Sequence, residues 1–132
     1  MSPFKDWLVL VIEDEQDGQE VVSGILSYMN ILSEAVVTAE EALRRLSQQS
    51  YTAAIIDLSL PGMNGWSLLT AIRSNPQTAN MPCIAITAYH HSGVRQEAIQ
   101  SGFNAYFPKP LEDTVFLREF TRVVQMTLMK QE

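Results

Sequence analysis

A chain of 132 residues, 46% hydrophobic and 18% charged, carries enough apolar material for one ordinary core without disulfide or metal staples. Fifteen acids against nine bases leave a net charge of −6, which argues against binding nucleic acid or an anionic membrane by bulk attraction. Cys83 is the only cysteine, so neither a disulfide nor a cysteine metal cluster is available, and a reducing, cytoplasmic setting is expected.

Residues 1–6 lack the basic and apolar regions of a signal peptide and are expected to be a short tail before one domain over 7–130. The apolar run Leu8 to Ile12 is far too short to span a bilayer. It reads instead as a buried strand that stops at Glu13, Asp14 and Glu15. Asp17 and Gly18 are expected in the turn that follows. From Gln19 the spacing of Val21, Val22, Ile25, Leu26 and Met29 is helical. Ile31 to Val37 is a weaker strand with Glu34 inside it, which suits an edge. Thr38 with Glu41 forms a capping box for a second helix, marked by Ala42, Leu43 and Leu46 and ending near Gln49.

The stretch AAIIDLSLPGMNG, Ala53 to Gly65, organises the rest. Thr52 to Ile56 is a buried strand that delivers Asp57, and Pro61, Gly62, Asn64 and Gly65 then break the chain into a turn. Trp66, Leu69 and Ile72 mark a third helix ended by Asn75-Pro76. Pro82 to Ile86 is a fourth strand that stops at Thr87. Val94 to Ser101 is a short, weakly apolar helix closed by Gly102, and its sparse apolar face predicts mobility. Asn104 to Phe107 is a fifth strand running into Pro108-Lys109-Pro110. A last helix from about Glu112 has Phe116, Phe120, Val123, Val124 and Leu128 on one face.

Five strands alternating with five helices predict an α/β fold: a doubly wound, flavodoxin-like parallel sheet of order 2-1-3-4-5 in a three-layer α/β/α arrangement. That order brings Glu13 and Asp14 beside Asp57 at the carboxyl edge of the sheet. Three like charges in one crevice repel, and a hard divalent cation such as Mg²⁺ removes the conflict, since it prefers carboxylate, water and phosphate oxygens. Thr87 and Lys109 end the next two strands and add a hydroxyl and a cation. The set suits phosphoryl transfer to Asp57, with Mg²⁺ and Lys109 offsetting charge and Thr87 donating a hydrogen bond.

Glu13-Asp14, Asp57 followed by Leu60-Pro61-Gly62-Met63-Asn64-Gly65, Thr87-Ala88 and Lys109-Pro110 stand in the order and near the spacings of one family. From Leu8 to about Met129 the chain resembles a receiver domain of two-component response regulators. The resemblance implies that Asp57 takes phosphate from a phosphohistidine on a histidine kinase or histidine phosphotransfer protein. It implies a metal set of Asp14, Asp57 and the Ser59 backbone carbonyl, with Glu13 acting through water. It also implies a cis Lys109-Pro110 peptide, and a switch in which Tyr106 swings into space vacated by Thr87 and reshapes the surface of the fourth helix, fifth strand and fifth helix. A tyrosine that merely fills the gap between helix and sheet is the plainer role for Tyr106; its spacing to Lys109 favours the switch. Glu13 replaces the more usual Asp. Ser59 and Tyr89 hold positions that affect phosphate lifetime in the family, Tyr89 either shielding the site or facing solvent.

A haloacid dehalogenase-type aspartyl phosphatase shares this chemistry but needs a second Asp two residues after the nucleophile, where Ser59 stands, and room for a cap. A flavodoxin would want a Ser/Thr-rich first loop, not Glu-Asp-Glu-Gln-Asp. A receiver-like binding module that is never phosphorylated is disfavoured by the intact acid, Thr and Lys set. The expected function is therefore a signalling switch, not an enzyme in its own right. His90-His91 reads as a solvated loop pair, Trp66 as packing for the third helix, and Cys83, Phe116 and Phe120 as core. The expected downstream target is a protein, and the resemblance allows a homodimer. About twenty residues follow Pro110 and the fifth helix uses them, so either a stand-alone receiver or one excised from a larger regulator or hybrid kinase is expected.

Overall fold

A computed structural model of the chain describes residues 3–131. Five strands and five helices alternate: β1 Leu8–Ile12, α1 Gln16–Tyr28, β2 Leu32–Val36, α2 Ala39–Gln48, β3 Ala53–Asp57, α3 Gly65–Ser74, β4 Cys83–Thr87, α4 Val94–Ser101, β5 Ala105–Pro108 and α5 Asp113–Lys130. All strand pairs are parallel and the order is β2-β1-β3-β4-β5, as the alternation predicts.

Each face of the sheet carries its own apolar cluster because side chains alternate along a strand. Leu10, Ile12, Ala54, Ile56 and Ala85 pack toward Ala42, Leu68, Leu69, Ile72 and Ala98 of α2, α3 and α4. Val9, Val11, Ile55, Ile84 and Ile86 pack toward Val22, Leu26, Phe116, Phe120 and Val124 of α1 and α5. The central strands β3 and β4 are buried throughout, which is why they read as unbroken apolar runs. Edge strand β2 is mostly open, and Glu34 satisfies itself there by accepting from Arg45, Gln49 and the Tyr51 hydroxyl. Thr38 caps α2 as predicted, its hydroxyl accepting from the Glu41 N–H, while Glu41 reaches back to Val37 N–H rather than to the cap itself.

Two expectations change. Asp17 and Gly18 lie inside α1 rather than in a turn before it; an acid in the first turn favours an earlier start because it meets the positive end of the helix dipole. The expected tail is packed where it is described: Phe4 is buried, its ring 4.6 Å from Trp7, and Trp7 meets Phe120 edge-on. Residues 1 and 2 lie outside the described residues. The fourth helix is anchored through Val94 and Ala98, both buried, with Ile99 left exposed. Trp66 packs edge-on against Phe103, and Cys83 is fully buried, as expected of packing residues.

Candidate functional site

Among the described residues, the buried polar or charged side chains are Glu13, Asp57 and Thr87, and each stands at the carboxyl end of a central strand. The register explains why they meet. Ile12 lies opposite Ile56, so Glu13 falls level with Asp57, and its N–H donates to Val36 O at 3.1 Å, extending the ladder by one residue. Thr87 ends the neighbouring strand, and Lys109 is tied to it by an N–H donated to Thr87 O at 2.8 Å. The Lys109-Pro110 peptide is cis.

Asp57 is held from below by the turn that follows it. Its Oδ1 accepts from the Ser59 N–H at 2.9 Å. The start of α3 is pulled onto the strand end by Gly65 N–H donating to Leu58 O, and Asn64 caps that helix through Ser67 N–H. A Cβ on Gly65 would lie 2.6 Å from Asp57 O and 2.8 Å from Leu58 Cα, so only glycine permits this approach.

Lys109 Nζ bridges two carboxylates, donating to Glu13 Oε1 and, at 2.9 Å, to Asp57 Oδ2. Burial pushes the Glu13 carboxyl above the usual carboxylate range; hydrogen bonds from Lys109 and from Glu15 N–H offset part of this, and the negative charge of Asp57 adds to it. Burial works against the Lys109 charge as well, but hydrogen bonds to Glu13 and Asp57 outweigh it and hold the ammonium above its ordinary value. Asp14 is exposed at the rim. One carboxylate oxygen from each of Glu13, Asp14 and Asp57 lies within 4.8 Å of the others, an all-oxygen donor set of the kind a hard divalent cation takes.

Behind the site, Tyr106 is 1% exposed and already occupies the gap between α4 and the sheet. His90 Nδ1 lies 2.7 Å from its hydroxyl, and Arg95 donates to its carbonyl while standing over its ring. Tyr89 is exposed at 73%. Its N–H donates to Thr87 Oγ1 at 3.0 Å.

The model for the family described as "Response regulator receiver domain" matches residues 9–120. The chain belongs to that family. Among its relatives, an uncharacterized 14.6 kDa protein of Leptolyngbya boryana is 31% identical over 83% of this chain and 84% of its own. The transcriptional regulatory protein HprR of Escherichia coli is 36% identical over 77% of this chain, which spans 44% of it. The crystal structure of the receiver domain of sensor histidine kinase PA1611 from Pseudomonas aeruginosa, described with a magnesium ion coordinated in its active site cleft, superposes with a TM-score of 0.81 at 28% identity. It covers 90% of this chain and 98% of that one. The fold is the receiver fold, and the function is that of a two-component receiver.

In this receiver domain the structure brings together Glu13, Asp57 and Lys109 by direct contact, sets Asp14 at their rim, and places Thr87 at the end of the adjoining strand. The Ser59 N–H faces Asp57 Oδ1. His90 departs from the sequence reading: both histidines are exposed, yet His90 is bonded to Tyr106. Sequence reasoning also missed Gly18, whose absent side chain makes the space that the Glu13 carboxyl fills. A Glu where Asp is commoner, five residues before a helical glycine, was the available signal.

Proposed function

We propose that Asp57 is the phosphoacceptor of this receiver domain, with Lys109 and Thr87 as its partners and Mg²⁺ held by Asp14, Asp57 and the Ser59 carbonyl, Glu13 acting through water. The observation that carries this is Lys109 Nζ at 2.9 Å from the buried Asp57 Oδ2, at the strand ends where Glu13 and Thr87 are also buried. Bound there, the cation would offset negative charge on the phosphoryl oxygens. Asp57 attacks phosphorus through a carboxylate oxygen, the P–N bond of a phosphohistidine on a histidine kinase or phosphotransfer protein breaks, and the imidazole nitrogen leaves and takes up a proton. Lys109 passes from the carboxylate to a phosphoryl oxygen. Thr87 turns its hydroxyl toward the same group. Tyr106, which packs behind the β4–α4 loop, sets the shape of the α4–β5–α5 surface, where a groove of about 470 Å³ lined by Arg95, Ile99, Val115 and Arg122 is open to a partner protein or a second copy.

A reading confined to phosphoryl transfer and its reversal by water makes the chain a switch rather than a turnover enzyme. No described helix is long and apolar enough to cross a membrane, and a cytoplasmic setting fits the phosphohistidine donor. Incubation with Mg²⁺ and acetyl phosphate, read by intact mass, should give one phosphoryl adduct. The adduct should vanish with Asp57→Asn and with EDTA. Its persistence in Asp57→Asn would move the acceptor elsewhere.

A further inference from the structure

Tyr106 is buried with its hydroxyl satisfied, and the bond that satisfies it comes from an exposed loop residue. His90 Nδ1 lies 2.7 Å from the hydroxyl, and the two rings tilt by 32° at 5.7 Å. A buried O–H left without a partner loses more than the bond gains when made, so this contact favours the inward pose of the ring. The other holds on Tyr106 differ in kind. Arg95 donates to the Tyr106 backbone carbonyl at 3.0 Å, a bond that survives whichever way the ring points. Its guanidinium also stands 5.0 Å from the ring centroid, but from an exposed position. His90 therefore provides the directional contact, and it sits on the loop that follows Thr87, next to Tyr89, whose N–H is bonded to Thr87 Oγ1.

We propose that His90 is a latch that holds Tyr106 in its buried pose before any phosphoryl group reaches Asp57. The resting protein then already presents the α4–β5–α5 surface with the ring inward. A swing of Tyr106 driven by phosphorylation reappears only when the latch is removed. The latch in the resting state stands on the geometry alone; the return of the swing rests on the reading of Asp57 as phosphoacceptor.

The test uses the 132-residue chain with ¹³C-labelled tyrosine rings, the Tyr106 signal being assigned with Tyr106→Phe, and a soluble paramagnetic probe to report ring exposure. In unphosphorylated wild type the Tyr106 ring should be protected, and acetyl phosphate with Mg²⁺ should leave it so. His90→Ala should raise the outward population about tenfold. His90→Asn, whose amide can stand where Nδ1 stands, should restore protection. Acetyl phosphate should send the ring of His90→Ala back inward. A ring that stays protected in unphosphorylated His90→Ala would overturn the latch, because packing and Arg95 would then suffice, as would an exposed ring in resting wild type. If His90→Ala gains a phosphoryl adduct while its outward ring stays out, the coupling to Thr87 is refuted. Absence of an adduct on wild type refutes the phosphoacceptor reading and the returning swing with it, and the spectra of the unphosphorylated variants still decide the resting latch separately.

Discussion

Replacing Gly18 with alanine should unseat Glu13. A Cβ at position 18 would lie 2.4 Å from Glu13 Oε1 and 2.6 Å from its Cδ. The carboxyl group has nowhere cheap to go: Glu13 is fully buried, and its oxygens are committed to Lys109 and to the Glu15 N–H. Overpacking of this kind costs ~1–3 kcal/mol. Alanine returns about 1 kcal/mol of helix propensity, because Gly18 lies within α1. The net loss should be about 1 kcal/mol, a fall of roughly 4 °C in melting temperature for a domain of this size. Glu13→Asp alone should cost a similar amount, since the shorter acid leaves a methylene-sized gap and cannot hold the same bond to Lys109. The double variant should recover, since the shorter acid vacates the space that the alanine methyl takes. The interaction between the two changes should exceed about 0.5 kcal/mol. Urea denaturation of the four proteins in metal-free buffer measures it. Additive single losses, or a Gly18→Ala protein more stable than wild type, would refute the close packing of Glu13 on α1.

Two further outcomes follow from charge and burial. Lys109→Met removes the cation beside a buried carboxylate and should cost about 3 kcal/mol in metal-free protein at pH 7. Burial has already raised the Glu13 carboxyl, so lowering the pH lets it take a proton and dispense with its partner. The loss should therefore shrink toward pH 4, and equal losses at both pH values in urea titrations would contradict the role given to Lys109. Burial pushes the Cys83 thiol up from an ordinary 9.0 to about 11. Between those values the unfolded chain gives up this proton while the folded protein keeps it, so the folded state loses stability as pH climbs through that window. Cys83→Ala should flatten this slope, and the native thiol should stay inert to disulfide reagents at pH 8; rapid labelling there would show the residue to be accessible.

Most of the fold was legible because its periodicities are local. The runs at Leu8–Ile12, Ala53–Asp57 and Cys83–Thr87 carry their burial in their composition, and the helices between them carry theirs in apolar spacing. The acids, hydroxyl and lysine of the site were legible for a related reason: each stands at or just past the carboxyl end of a strand, so once the strand order is known their meeting is forced. What could not be read were contacts made between a loop and a distant element. His90 and Tyr106 are 16 residues apart, and nothing in the sequence of the loop distinguishes His90 from His91, which bonds only its neighbour's carbonyl. Phe4 was hidden by its place near the chain start, although an aromatic that can bury itself on Trp7 has a strong reason to do so.

The three buried polar side chains also show where this receiver domain spends stability and what it gains. Two apolar clusters, one on each face of the sheet, supply the core. Glu13, Asp57 and Thr87 gather where the strands end, and the charges of Glu13 and Asp57 are offset by one lysine that is itself partly open to solvent. Because Lys109 is shared between Glu13 and Asp57, any group that draws it from Asp57 toward a phosphoryl oxygen also changes the balance at Glu13. The Glu13 carboxyl fills the space a side chain on Gly18 of α1 would take, and Lys109 follows directly on β5, one residue beyond Pro108. The ion pair thus links Asp57 to the α1 side through Glu13 and to β5 through Lys109. A change of charge at Asp57 would therefore act first on Lys109 and, through it, on Glu13.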